Sequence, residues 1–512
     1  MGGEDGGSLV ADGQQRLATI MILIAAIRDY HEKLEDKDSA DRLHKTYLLT
    51  EEYGEAETVP HLRLNERDHE YFYRRILSRT DDPMRNDEFI ARPQVKSHKL
   101  IDSAAKEAAK AVKAIVQGLR PEQHFDELSR WVKFLREKTI VVLVSVPDES
   151  AAYTIFETMN DRGLALSAVD LIKNYLFGRA STSFDTVKHN WTTMLGALDT
   201  VKEDDVTSNF VRHYWISQYG TTRGPQLFNA IKKKIVSPVK VTEFSVGLSQ
   251  ASQKYIALLT PSHPYWASFG IYTTEIRKNL EVLNLFGIKQ SRPLLLSAVG
   301  KFSHKDMANI THLTVAWTVR LIVSKTQGSG ELETLYGDTA HQTREGTLNS
   351  VSAIAKFMRK AVPDDTEFER EFADTEVRQA SIARYFLRSL ERQYQNDPQA
   401  AQIPSDEAVI TLEHIVPKQF NEYRGEWRDI TDEQHEELLN RLGNQVLLNE
   451  ADNRAIGSRG FEFKREYLAK SDFALTALAG GYATWKEADI KDRQRHLAEL
   501  ASKAWSLALK HQ

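Results

Sequence analysis

Three short stretches near the carboxy-terminal end combine residue types suited to one piece of chemistry: Glu413-His414-Ile415-Val416-Pro417, Gly443-Asn444, and Asn453. A histidine can take a proton from water while one divalent cation, held by hard oxygen ligands, stabilises the charge developing on the leaving 3′ oxygen of a phosphodiester. In that assignment His414, Asn444 and Asn453 are the catalytic residues. His414 is the base, Glu413 and the Asn453 amide give oxygens to Mg2+ or Mn2+, and Asn444 ties the loop that carries the histidine. Each part alone has a plainer reading. An acid-histidine pair at a strand end is more often a core or surface histidine beside a charge, and a lone asparagine is more often a helix cap. The joint pattern carries the nuclease reading.

A second constellation stands at the front, where Asp12-Gly13-Gln14-Gln15-Arg16 directly precedes an almost wholly apolar run, Leu17 to Ile27. Asp12 reads as an N-cap with Gln15 at the N3 position, close to a capping box. Gln14 and Arg16 are not needed for that. They surround a helix amino terminus, where backbone N–H groups and an arginine favour a phosphate. Residues Asp12 to Arg16 are therefore candidate phosphate-binding residues. In the middle, Asn160, Arg162 and Gly163 lie in a loop and Lys173 on the helix after it; they fit a turn with a solvated lysine and a ligand role equally well. Asp68, Phe72, Arg212, His213 and Trp215 read as helix packing.

The elements that must position these groups are mostly helical. Leu17 to Ile27, Leu64 to Leu77 and Ser97 to Gln117 keep helical spacing, and the first of these is too short for the roughly 20 residues that span a bilayer. Thr139 to Val146 is a β-branched run ending at Pro147, a strand buried on both faces. Helix then returns over Ser150 to Met159 and again after Ser167. From Asp185 to Asp397 the pattern is helical throughout, and Gln395 to Gln399 reads as a linker. Ala408 to Pro417 and Gly443 to Leu448 are short strands, and Asn449 to Asn453 opens a helix. That order of strand, loop, strand and helix can bring His414, Asn444 and Asn453 together. Asn453 to Lys470 holds five cations against two carboxylates, so Arg454, Arg459, Lys464 and Arg465 are candidate DNA contacts. A solvated helix face is the plainer alternative.

Bulk properties bound these readings. A chain of 512 residues suggests two to four domains at roughly 150 residues each. With 41% hydrophobic and 27% charged residues it reads as a folded, soluble protein. The acidic residues before the first apolar run argue against a signal peptide, so a cytoplasmic location without membrane contact is expected. Zero cysteines exclude disulfides, thiolate nucleophiles and cysteine-held metals. A net charge of −5 requires any nucleic-acid partner to be met by local basic faces.

The Glu-His-Ile-Val-Pro, Gly-Asn and Asn pattern resembles the HNH class of His-Me finger nucleases. With Asp12 to Leu17, Phe156-Glu157-Thr158-Met159-Asn160-Asp161-Arg162-Gly163, Leu166-Ser167, Asp170-Leu171-Ile172-Lys173-Asn174 and Phe463-Lys464 added, the whole chain resembles the GmrSD family of type IV, modification-dependent restriction endonucleases and the related SspE-type antiphage nucleases. That resemblance implies an amino-terminal ParB-like domain that binds and hydrolyses GTP or ATP, with Asp12, Gly13, Gln14, Gln15 and Arg16 as its nucleotide-binding residues, and an HNH domain that cuts double-stranded, modified phage DNA. It also implies that this chain starts late within the ParB-like domain, lacking a helix and a strand. The expected fold is mainly α with small β elements (α+β): a truncated ParB-like domain over 1–184, a helical middle domain over 185–397, and a ββα-metal nuclease domain over 398–512. A homo-oligomer is compatible with this. The alternative is a nucleotide-responsive, ParB-like DNA-binding regulator with an inactive nuclease domain.

Overall fold

The computed structural model describes residues 13–51, 58–64, 66–86, 92–93, 95–140, 168–324, 329–396, 410–419 and 423–511. It is mostly helical, with two small antiparallel sheets of two strands each among the described residues. The chain divides into two compact units, Met1–Gly163 and Leu164–Gln512.

In the first unit α1 (Gln14–Lys33), α2 (Lys37–Leu43), β1 (Leu49–Glu51), β2 (Thr58–Pro60), α3 (Glu66–Phe72), α4 (Pro83–Asn86), α5 (Lys96–Val116) and α6 (Pro121–Lys138) follow in order. The apolar run after the front motif does form a helix; Met21, Ile22, Ile24 and Ala25 are its core stripe against α3 and α5, and Ile27 packs against α5 and α6. The helix starts differently from expectation. Its N-cap is Gly13, in the left-handed region at φ 85°, and no side chain caps it. The N-cap position expected for Asp12 is taken by Gly13, the residue type that adopts that φ without strain, and Asp12 itself lies outside the described residues. Arg28 is fully buried in α1. It donates to the carbonyls of Ile76, Leu77 and Ser78 at 3.0, 2.6 and 2.9 Å, filling the orphan acceptors at the end of a π-helical turn, Tyr73–Leu77. Phe72 packs in the core, and Asp68 accepts from Ser97 on α5 at 2.6 Å. The expected strand Thr139 to Val146 lies outside the described residues from Val141 on, as does the loop containing Asn160, Arg162 and Gly163.

The second unit opens with α7 (Ala168–Arg179), α8 (Phe184–Leu198), α9 (Val206–Tyr219), α10 (Leu227–Lys234), α11 (Pro238–Leu259), α12 (Thr273–Phe286), α13 (Arg292–Ala298), α14 (His304–Ser324), α15 (Ser329–Glu345), α16 (Val351–Met358), α17 (Asp365–Phe372) and α18 (Ala380–Gln395). It closes with β3 (Ile410–His414), α19 (Asp432–Leu438), β4 (Gln445–Asn449), α20 (Glu450–Ile456), α21 (Phe461–Ala469), α22 (Ala474–Ala479) and α23 (Glu487–Ala504). The limits expected at 184/185 and 397/398 both fall inside this unit. The reason is α23, which returns to the middle helices. Buried Arg320 of α14 donates to the Trp505 and Pro363 carbonyls, both at 3.0 Å, and Gln494 of α23 donates to the Phe372 carbonyl at 3.0 Å. His213 and Trp215 are buried in α9, in keeping with packing roles.

Candidate active site and its neighbourhood

Strands β3 and β4 pair antiparallel, with Glu413 opposite Val446 and His414 opposite Gln445. Asn449 ends β4 and caps α20, its Oδ1 accepting from Asp452 N at 2.8 Å, so the strand turns directly into the helix that carries Asn453. Helix α20 packs across both strands. Asn453 Nδ2 donates to Thr411 Oγ1 at 2.7 Å. Thr411 and Glu413 are two residues apart and so share one face of the strand; α20 and α21 lie on it.

Glu413 and His414 line one cleft of about 430 Å3, together with Leu412, Pro417, Lys418, Gln419, Gly457 and Ser458. Behind the cleft, Lys464 of α21 is fully buried. Its Nζ donates to Glu413 Oε1 at 2.5 Å and to the His414 carbonyl at 3.1 Å. Burial pushes the Glu413 carboxyl up and the Lys464 ammonium down, and each holds the other toward its charged form. Burial, with the nearby Lys418, Lys464 and His435, lowers His414 to about 4, so its ring is neutral at pH 7. The His414 Nε2 lies 3.2 Å from Gln445 Nε2.

Asn444 is completely buried and does not reach the cleft. Its Oδ1 accepts from Val416 N at 2.8 Å and its Nδ2 donates to Val416 O at 3.1 Å, which fastens the segment leaving His414 to the turn before β4. Two residues that the sequence reading missed hold that turn. Arg493 of α23 donates to the carbonyls of Leu442, Gly443 and Gln445 at 2.9, 2.8 and 3.0 Å. Trp485 donates to Asn444 Oδ1 at 3.2 Å. Gly443 is required by close approach, since a Cβ there would lie 2.2 Å from the Ile490 carbonyl oxygen.

The candidate DNA contacts do not form one face. Arg454 is well exposed and pairs with Glu450 at 2.6 Å. Arg459 lies 4.5 Å above the Phe463 ring and near Glu426, and Arg465 donates to the Gly480 carbonyl at 3.2 Å. Lys464 is corrected from a surface contact to an interior one: the helix turns it inward, onto Glu413. No charge count along α21 could show this, because its partner is on a distant strand.

In the first unit Gln14, Gln15 and Arg16 are exposed at the start of α1. A Cβ on Gly13 would lie 3.8 Å from the Arg16 guanidinium, so Arg16 leans back over the helix amino terminus. Asp12 lies outside the described residues, and Lys173 is half-buried on α7.

Comparison with known proteins decides the family. The profile of the GmrSD restriction endonuclease N-terminal domain matches residues 2–177, and that of the GmrSD restriction endonucleases C-terminal domain matches residues 362–500. The chain belongs to the GmrSD restriction endonuclease family. It is thereby a nuclease, a hydrolase acting on DNA. The carboxy-terminal match covers the whole cleft, from Leu412 to Ser458. No curated protein matches the chain. Among the described residues no helix is long and apolar enough to cross a membrane.

Proposed function

We propose that this GmrSD-family chain is a metal-dependent DNA endonuclease that cuts at the Glu413-His414 cleft. One observation carries the reading: the carboxylate and the imidazole line the same cleft, and Asn453 on the next helix is bonded to the strand that bears both. Among the described residues no three His, Asp or Glu side chains converge on a cation position. Asn453 is not among the residues that line the cleft; on this reading the donor set is the second Glu413 oxygen with the Asn453 amide oxygen. Two hard oxygens suit Mg2+ or Mn2+, ions that keep much of their water when protein-bound. When bound, the cation supplies charge stabilisation at the scissile phosphate.

The remaining work falls to side chains. The neutral His414 ring takes a proton from the attacking water. Asn444, through both of its bonds to Val416, keeps His414 at the cleft wall. Lys464 fixes the Glu413 carboxylate through its Oε1. On this reading Arg454, Arg459 and Arg465, on the segment after Asn453, meet DNA phosphates separately and not as one face. The exposed start of α1, with Gly13, Gln14, Gln15 and Arg16 and with Asp12 before it, binds GTP or ATP and regulates cutting. The substrate is double-stranded phage DNA bearing a modification. The direct test incubates the protein with plasmid or phage DNA, Mg2+ or Mn2+ and nucleotide, beside His414→Ala and Asn453→Ala. Strand breakage that needs the metal and is lost in both variants supports the site; breakage undiminished in both removes it.

A second reading has one observation in its favour, the Lys464 ammonium that already neutralises Glu413. On that reading the chain is a nucleotide-responsive DNA-binding regulator with an inactive nuclease domain. Tight DNA binding without strand breakage across a range of divalent ions separates it from the first.

A further inference from the structure

Helix α18 packs against both β3 and β4, and its flank carries Arg384, Arg388 and Arg392 at every fourth position. At a rise of about 1.5 Å per residue the guanidinium groups recur at about 6 Å intervals along the helix. All three residues are half-buried. The Nε atoms of Arg388 and Arg392 are shielded from solvent and have no hydrogen-bond partner. Burial and their mutual repulsion lower the pKa of Arg388, and burial lowers that of Arg392. Glu281 of α12 acts weakly against this on Arg388. The only carboxylate on α18 is Glu391, which accepts from the amides of Ala474 and Leu475 at 2.6 and 2.9 Å.

Three deeply placed arginines are held by backbone carbonyls. Arg28, Arg320 and Arg493 each donate to three backbone carbonyls. A half-buried cation left without such partners costs folding free energy. Arg388 and Arg392, which carry that cost one turn apart on a helix supporting a candidate nuclease hairpin, fit an anionic partner with regularly spaced charges.

We propose that Arg388 and Arg392, in a row with Arg384, form a phosphate track that holds the DNA backbone beside the Glu413-His414 cleft. The proposal rests on the reading of this chain as a DNA-binding protein, and it is tested without cleavage. Binding of a fluorescent DNA duplex to the full chain is measured in EDTA over a range of salt concentrations. Each lost phosphate contact lowers the slope of log affinity against log salt by about 0.9. Arg388→Gln with Arg392→Gln is expected to reduce that slope by about 1.8, while the thermal midpoint stays equal to wild type or rises. Arg388→Lys with Arg392→Lys keeps most of the slope, and the exposed Arg370→Gln leaves it unchanged. A Gln double variant with wild-type slope and affinity overturns the proposal.

If that variant does not fold, wild-type protein is treated with phenylglyoxal with and without the duplex. Protection of Arg388 and Arg392 by DNA supports the track, and equal modification overturns it. Protection by an RNA duplex but not by DNA also overturns it. A wild-type protein that binds with this salt dependence yet never breaks a strand would sink the nuclease reading and leave the track standing.

Discussion

Lys464 never meets solvent, yet it touches both residues of the cleft wall, the Glu413 carboxylate and the His414 carbonyl. Removing one member of a buried ion pair leaves the other charge desolvated and costs about 3–5 kcal/mol. Lys464→Met should therefore lower the urea midpoint strongly, while Glu413→Gln with Lys464→Met should recover much of the loss. Equal stability of the single and double variants would show that the pair is not what holds the strand end. Gly443 offers a second residue-level test. A methyl group at 2.2 Å from the Ile490 carbonyl oxygen must push α23 away from the Asn444 turn, an overpacking cost of about 1–3 kcal/mol. Gly443→Ala is expected to lower the thermal midpoint and the cleavage rate together. An unchanged midpoint would show that α23 yields without strain.

At the scale of elements, α9, α11 and α13 are joined by a buried polar chain. His213 Nδ1 lies 2.8 Å from Tyr255 Oη, Arg292 donates to that oxygen at 3.3 Å, and both Arg292 terminal nitrogens reach Glu203 at 2.8 and 2.9 Å. Burial, reinforced by Arg292 and Arg212, holds His213 down at about 3. Burial pushes Glu203 up, but the bonds and charges of Arg292 and Lys289 outweigh it and hold the carboxyl at about 2. Both folded values lie below the unfolded ones, so the folded state binds fewer protons. The stability these groups contribute is complete above about pH 6.5 for His213 and about pH 4.5 for Glu203. It is lost as pH falls toward 3 and 2 respectively. His213→Gln should remove up to about 1.4 kcal/mol per pH unit from the stability slope between pH 6 and 4, read by urea unfolding across that range; an unaltered slope would contradict the assignment. Much of the element pattern was legible in the sequence. The helices over 96–116 and 168–179, the strands over 410–414 and 445–449, and the helix that presents Asn453 follow from period, β-branching and caps. What was not legible depends on partners distant in sequence: Lys464 turned onto Glu413, and Arg493 gripping the Gly443 turn.

For the whole molecule, two units with separate cores predict two unfolding transitions in calorimetry. Arg28→Met should shift only the transition of the first unit, because all three carbonyls that it serves lie there; Arg493→Met should shift only that of the second. A single transition moved by both variants would contradict independent units. That α23 closes on α14 and α17 was not legible in the sequence, since a linker-like stretch at 395–399 says nothing about where a later helix packs. The central claim is that His414 acts as the base of a metal-dependent DNA endonuclease. A single-turnover cleavage assay on plasmid DNA with saturating Mg2+ or Mn2+ tests it most directly, comparing wild type with His414→Ala at matched DNA binding. The predicted result is a fall in rate of about 100- to 10,000-fold with binding and thermal midpoint retained. Cleavage by His414→Ala at the wild-type rate would contradict it.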